Sequence, residues 1–121
     1  MSKASFINEL SIPAIAAPMF LISGPQLVIE CCKNGIVGTF PALNQRTTEG
    51  FEAWILEIKS ALATYEKETG KKPAPFGVNL IVHKSNPRLE ADLAICVKHK
   101  IALIITSLGA VSELVNTVHS Y

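Results

Sequence analysis

The sequence predicts a parallel α/β protein assembled from four successive βα units. Three observations carry this. Short apolar runs alternate with longer stretches whose apolar residues recur at helical spacing. The runs are continuous rather than alternating, as in parallel strands buried on both faces. Turn and cap residues stand at the junctions between them.

The elements follow in order. A first strand spans Pro13 to Met19. A helix begins near Gly24 with Pro25 at its first position, where a missing N–H costs nothing. Leu27, Val28, Cys31 and Cys32 make its apolar face, and Gly35 ends it. A second strand, Ile36 to Phe40, is cut by Pro41. The second helix starts after Thr47 or Thr48, either able to cap, with Glu49 near the positive end of the helix. Phe51, Trp54, Ile55, Ile58, Leu62 and Tyr65 form its stripe, and Gly70 and Pro73 close it. A third strand covers Phe76 to Val82. Asn86 as N-cap and Pro87 at the first position open a third helix, with Leu89, Leu93, Cys96 and Val97 inward. Lys98, His99 and Lys100 fall in its last turn, where positive charge suits the dipole. A fourth strand runs from Ile101 to Thr106. Gly109 breaks it, and Val111, Leu114, Val115 and Val118 start a fourth helix.

Composition excludes several classes. The 121 residues carry a formal net charge of +1, which offers no field for nucleic acid or an anionic membrane. The opening Met-Ser-Lys-Ala-Ser-Phe has no signal-peptide core, and no apolar run reaches the ~20 residues of a membrane span. Three cysteines, two of them adjacent, fit neither a zinc spacing nor a disulfide framework. They read as small buried apolar groups in a reducing, cytoplasmic compartment.

Strict βα alternation leaves two architectures: an open doubly wound sheet, or a (β/α)8 TIM barrel of which this chain supplies the first four units. A dinucleotide-binding open sheet calls for Gly-x-Gly-x-x-Gly after its first strand. The sequence there reads Phe20-Leu21-Ile22-Ser23-Gly24-Pro25. A barrel needs roughly 250 residues, so half a barrel leaves its first and fourth strands as open edges. Residues 1 to 121 are therefore expected to form one N-terminal half-barrel, and to self-associate or pair with another chain if they stand alone.

Ligands of parallel α/β proteins sit at the C-terminal ends of the strands. At the first such end, Ala16 and Ala17 carry little side chain and Pro18 fixes the backbone, so a planar ring can lie against the main chain. The alternative is an ordinary strand-to-helix turn. Asn79 is the sharpest residue, a polar amide within the apolar Phe76-Gly77-Val78-Asn79-Leu80-Ile81. A buried amide left unpaired costs ~1–3 kcal/mol, so it bonds either a ligand or neighbouring backbone. Thr106 and Ser107 end the fourth strand, His83 follows the third, and Asn44 lies in the second βα loop. Each is either a ligand contact or a locally bonded structural group.

Three segments resemble the nitronate monooxygenase family, formerly 2-nitropropane dioxygenase. They are Pro13-Ala14-Ile15-Ala16-Ala17-Pro18-Met19-Phe20-Leu21-Ile22-Ser23-Gly24-Pro25, Gly35-Ile36-Val37-Gly38-Thr39-Phe40-Pro41-Ala42-Leu43-Asn44, and Phe76-Gly77-Val78-Asn79-Leu80. The resemblance implies a TIM barrel that binds flavin mononucleotide (FMN) and uses O2 to oxidise alkyl nitronates to carbonyl compounds and nitrite. It implies an FMN contact at Ala17, Pro18 and Met19 and favours one at Asn79; by their place at the strand ends, Thr106 and Ser107 are candidates to bond the flavin or substrate, His83 to touch either, and Asn44 to approach the substrate pocket. It also implies that the catalytic histidine and the phosphate loops lie beyond Tyr121, so no catalytic residue is assigned here. Two alternatives stay open. One is an FMN-dependent enoyl-acyl-carrier-protein reductase, which shares the barrel and a similar first strand. The other is a non-enzymatic half-barrel that pairs with a second copy.

Overall fold

A computed structural model describes residues 5–109 and 111–121. The expectation that the chain opens without a signal peptide falls partly on residues 1–4, outside the described ones. Four strands, β1 (Ile15–Ala16), β2 (Val37–Pro41), β3 (Phe76–Ile81) and β4 (Leu103–Ser107), form one parallel sheet in the order β1-β2-β3-β4. Between and after them come helices α1 (Pro25–Lys33), α2 (Thr48–Thr69), α3 (Leu89–Lys98) and α4 (Ser112–Val118). Each strand lies beside the next in sequence. A doubly wound sheet would reverse direction at a switch point, and this one does not. The result is a curled half-barrel of four parallel strands.

Local chemistry sets most boundaries. Pro25 opens α1, and a complete Schellman closure ends it: Gly35, at φ +78°, donates to Cys32 O while Ile36 donates to Cys31 O, each at 3.1 Å. Thr47 caps α2 through its hydroxyl, which accepts from Gly50 N at 3.0 Å, and left-handed Gly70 ends it. At Gly38 a Cβ would lie 2.7 Å from Val28 O, so the absent side chain lets α1 press directly on β2.

The core lies between the sheet and the helices. Phe40 of β2, Phe76, Val78 and Leu80 of β3, and Phe51, Ile55, Ile58 and Leu62 of α2 are buried together with Val28, Cys32 and Cys96. Phe40 meets Phe51 and Trp54 with ring centroids 5.9 and 5.8 Å away.

Several expectations are corrected. The first strand is Ile15–Ala16 rather than Pro13 to Met19, because Pro13 and Pro18 have no N–H and β1 has a neighbour on one side only. Full burial holds for β2 and nearly all of β3, while β1 and β4, the two edges, are only partly covered. Of the predicted α1 face, Val28 and Cys32 are buried and Leu27 is exposed. In α4, Leu114 is buried and Val115 exposed, as is Val111 just ahead of the helix. β4 starts two residues later than expected, at Leu103, and reaches Ser107. α3 begins at Leu89 rather than Pro87. Asn86 Oδ1 accepts Arg88 N at 3.1 Å and its Nδ2 donates to Ile81 O at 2.9 Å, so Asn86 closes a separate turn ahead of the helix.

Candidate functional site at the C-terminal edge of the sheet

The parallel strands all end on one side, and the candidate residues gather there. Side chains alternate across each strand, so the register assigns every residue a face. Phe40 and its partner Val78 point toward the helices, and Ile104 beside them packs on the same core. Asn79, aligned with Pro41 and Ile105, therefore points to the concave face, and so does Ser107, aligned with Ile81. Thr106 pairs with Leu80 and points to the helix face. Both residues end β4 at the C-terminal edge, as expected, and strand alternation turns their side chains to opposite faces.

Asn79 is 6% exposed and donates both amide hydrogens to β4, to Ile105 O at 3.0 Å and Ser107 Oγ at 2.7 Å. The Ile105 carbonyl can only accept, which settles which amide atom is nitrogen. Among the described residues no donor is paired with Asn79 Oδ1. The pair therefore offers an acceptor, Asn79 Oδ1, and a donor, the Ser107 hydroxyl hydrogen.

Ala17 follows β1 and is exposed, Pro18 is half-buried and Met19 is 42% exposed. Thr39, which the sequence reading passed over, donates its hydroxyl to Ala16 O and pins this strand end. Asn44 does the same for the loop beyond. Its Nδ2 donates to Met19 O at 3.0 Å and Ser23 O at 2.8 Å, and its Oδ1 accepts Leu21 N at 2.9 Å. Ser23 Oγ accepts Met19 N at 2.8 Å. So Asn44, expected near substrate, spends its amide on the β1–α1 loop.

His83 is exposed just past β3. Its Nδ1 accepts Ser85 N at 3.1 Å and lies 2.8 Å from Ser85 Oγ, so the neutral ring carries its proton on Nε2. A buried ion pair that the sequence reading missed stands behind the edge. Asp92 of α3 is fully buried beside Arg88, whose Nη1 donates to Gln45 O at 2.6 Å.

The rest of the molecule offers less. A cleft of about 390 Å3 opens at the other end of the sheet, lined by Phe6, Leu62, Pro73 and Ile101 among others. Its Lys72 and Glu9 neutralise each other at 2.8 Å. Among the described residues no cluster of His, Cys, Asp and Glu can hold a metal, and no helix is long and apolar enough to cross a membrane. Burial pushes the Cys32 thiol up to about 11 and the Cys96 thiol to about 12. Both stay protonated in the folded chain after unfolded cysteines ionise, so their contribution to stability is lost as pH rises from ordinary thiol values through these. At pH 8, iodoacetamide is expected to label half-buried Cys31 first and leave Cys32 and Cys96 until urea is added. Mass spectrometry checks this. Equal rates at all three in the folded chain would contradict the packing.

The fold and its edge define a class: a singly wound parallel α/β protein with a polar acceptor and a pinned, exposed backbone turn at its strand ends. No protein-family model and no curated protein matches the chain.

Proposed function

We propose that the half-barrel is the first half of a closed (β/α)8 barrel that holds FMN at its C-terminal edge. The complete protein is then an oxidoreductase of the nitronate monooxygenase type, taking alkyl nitronates and O2 to carbonyl compounds and nitrite. One observation carries the reading: in a singly wound sheet, Ala17 to Met19, Asn79 and Ser107 come to the same edge. The open sides of β1 and β4 leave room for further strands, from the same chain or a second copy.

The residues present fit the cofactor. Ala17 leaves its backbone open to a flat ring, and Asn79 Oδ1 is an acceptor for a ring N–H or a ribityl hydroxyl. Ser107 and Ile105 hold the Asn79 amide so that this oxygen keeps one direction. Bound FMN supplies the redox chemistry between nitronate and O2, while the protein binds and orients. His83 Nε2–H and the Thr106 hydroxyl stand near the same strand ends as lesser candidates. Three free cysteines suit a reducing, cytoplasmic setting.

The test begins with heat release of cofactor from the natively purified protein, identified by chromatography. FMN is the expected result, and no flavin, or only the adenine dinucleotide, overturns the reading. Asn79→Leu is then expected to weaken FMN binding by ~1–3 kcal/mol, with the urea midpoint measured alongside to separate a loosened sheet from a lost contact. An unchanged FMN dissociation constant would remove Asn79 from the site.

A further inference from the structure

The β1–α1 loop is costly to hold in its observed shape. Met19, Phe20, Leu21 and Ile22 are four consecutive apolar residues at 42, 68, 77 and 70% exposure. Leu21 sits at φ +62°, a left-handed conformation that its Cβ disfavours. Left to itself, such a segment has every reason to relax into an ordinary turn and fold its side chains down. Strained conformations persist where the surroundings over-determine them, and they cluster at functional sites.

Two side chains hold the loop: the buried Ser23 hydroxyl takes Met19 N, and Asn44 takes more. The Asn44 amide reaches across from the next βα loop and takes three backbone groups of the strained turn: Met19 O, Ser23 O and Leu21 N. Both Nδ2 hydrogens go to carbonyls, and Oδ1 receives the amide of the strained residue itself. The Met19 carbonyl also accepts Ile22 N at 3.2 Å and Ser23 N at 3.0 Å, so the turn closes around the point that Asn44 grips. Asn44 ends the 3-10 turn Ala42–Asn44, and Arg88 is anchored on the Ala42 carbonyl of that turn and on that of Gln45 just past it. Asp would meet the two carbonyls with a negative charge, and Ala would leave Leu21 N and Ser23 O to water, while Met19 O keeps its backbone donors.

We infer that Asn44 is the positioning residue of the C-terminal edge: it presets the β1–α1 loop so that Ala17 to Met19 face the ligand in a fixed shape. The functional half of this rests on the flavin reading above, while the structural half does not. Preorganisation removes an ordering cost from binding, so its loss appears as weaker affinity without a lost ligand contact.

The test compares wild type with Asn44→Ala and Asn44→Asp by amide hydrogen exchange and FMN titration. In wild type, Leu21 N–H should exchange slowly despite the exposure of its side chain. In both variants, exchange at Met19, Leu21 and Ser23 is expected to accelerate about tenfold or more, the worth of one or two net hydrogen bonds, with β2 and β3 protection unchanged. FMN affinity should fall by a similar factor. Unchanged exchange at Leu21 in both variants overturns the positioning role, and so does loss of the whole fold in both, since a strut for one loop leaves the core intact. Faster exchange with unchanged FMN affinity overturns its functional half. Wild type that binds no FMN sinks the flavin reading, and the exchange result still decides whether Asn44 presets the loop.

Discussion

Replacing Phe40 with alanine is expected to lower the unfolding free energy by about 3–5 kcal/mol, the usual cost of deleting a buried aromatic ring. Phe40 is wholly buried in β2, between β1 and β3. Its ring packs at 56° against Phe51 and at 65° against Trp54, two residues of α2. It therefore ties an interior strand to the longest helix, and nothing nearby can collapse into its space without moving one of them. Against a typical total of about 5–15 kcal/mol, the loss is a large share of stability. Urea unfolding followed by the fluorescence of the single tryptophan, Trp54, measures it. Phe40→Leu, which keeps more of the volume, should lose much less. A Phe40→Ala loss under ~1 kcal/mol would mean that the ring is not packed as described.

Asp92→Ala is expected to cost about 3–5 kcal/mol for a different reason, because it strands a charge. The Asp92 side chain is 1% exposed and that of Arg88 19%. Asp92 Oδ1 accepts Thr48 Oγ1 at 2.8 Å and Arg88 Nη2 at 3.2 Å, and Oδ2 lies 3.0 Å from the same nitrogen without hydrogen-bond alignment. Arg88 Nε is buried and unpartnered among the described residues, so the guanidinium already lacks one acceptor. Taking away the carboxylate leaves it with backbone carbonyls alone. The double replacement Arg88→Met with Asp92→Leu removes both charges and should recover most of the loss. If the double variant is no more stable than Asp92→Ala, the stranded-charge account fails. Because Arg88 also grips Gln45 O and Ala42 O, Arg88→Met alone should loosen the turn that carries Asn44.

Charge at the surface matters less. Lys98 and then His99, both donating to Glu52, hold its carboxyl below the usual range. The stability this brings is present above ordinary glutamate values and is lost as pH falls through the depressed one.

How much was legible in the residues differs from feature to feature. The interior strands β2 and β3 announce themselves as continuous apolar runs, since both of their faces are covered. Thr47, Gly70, Pro25 and Gly35 mark helix ends because capping is local chemistry within a few residues. Asn79 is conspicuous as one amide in an apolar strand, and its burial follows from that. These belong to the sequence by itself, because each depends on spacing of 2 or 3.6 residues or on one residue's own backbone preference.

What the tertiary structure decided are the matters that need a partner far along the chain. The length of β1 depended on having one neighbour instead of two. The separation of Ser107 from Thr106 depended on register against β3. Asn79 could have spent its hydrogens on a ligand, and the neighbouring strand took them instead, 26 and 28 residues away. Asn44 had the composition of an ordinary loop residue, and its role exists only because a second loop, 21 to 25 residues earlier, is folded against it. Side-chain hydrogen bonds of this kind leave no periodic trace in a sequence, because their spacing is set by how the units pack and not by the geometry of any one element.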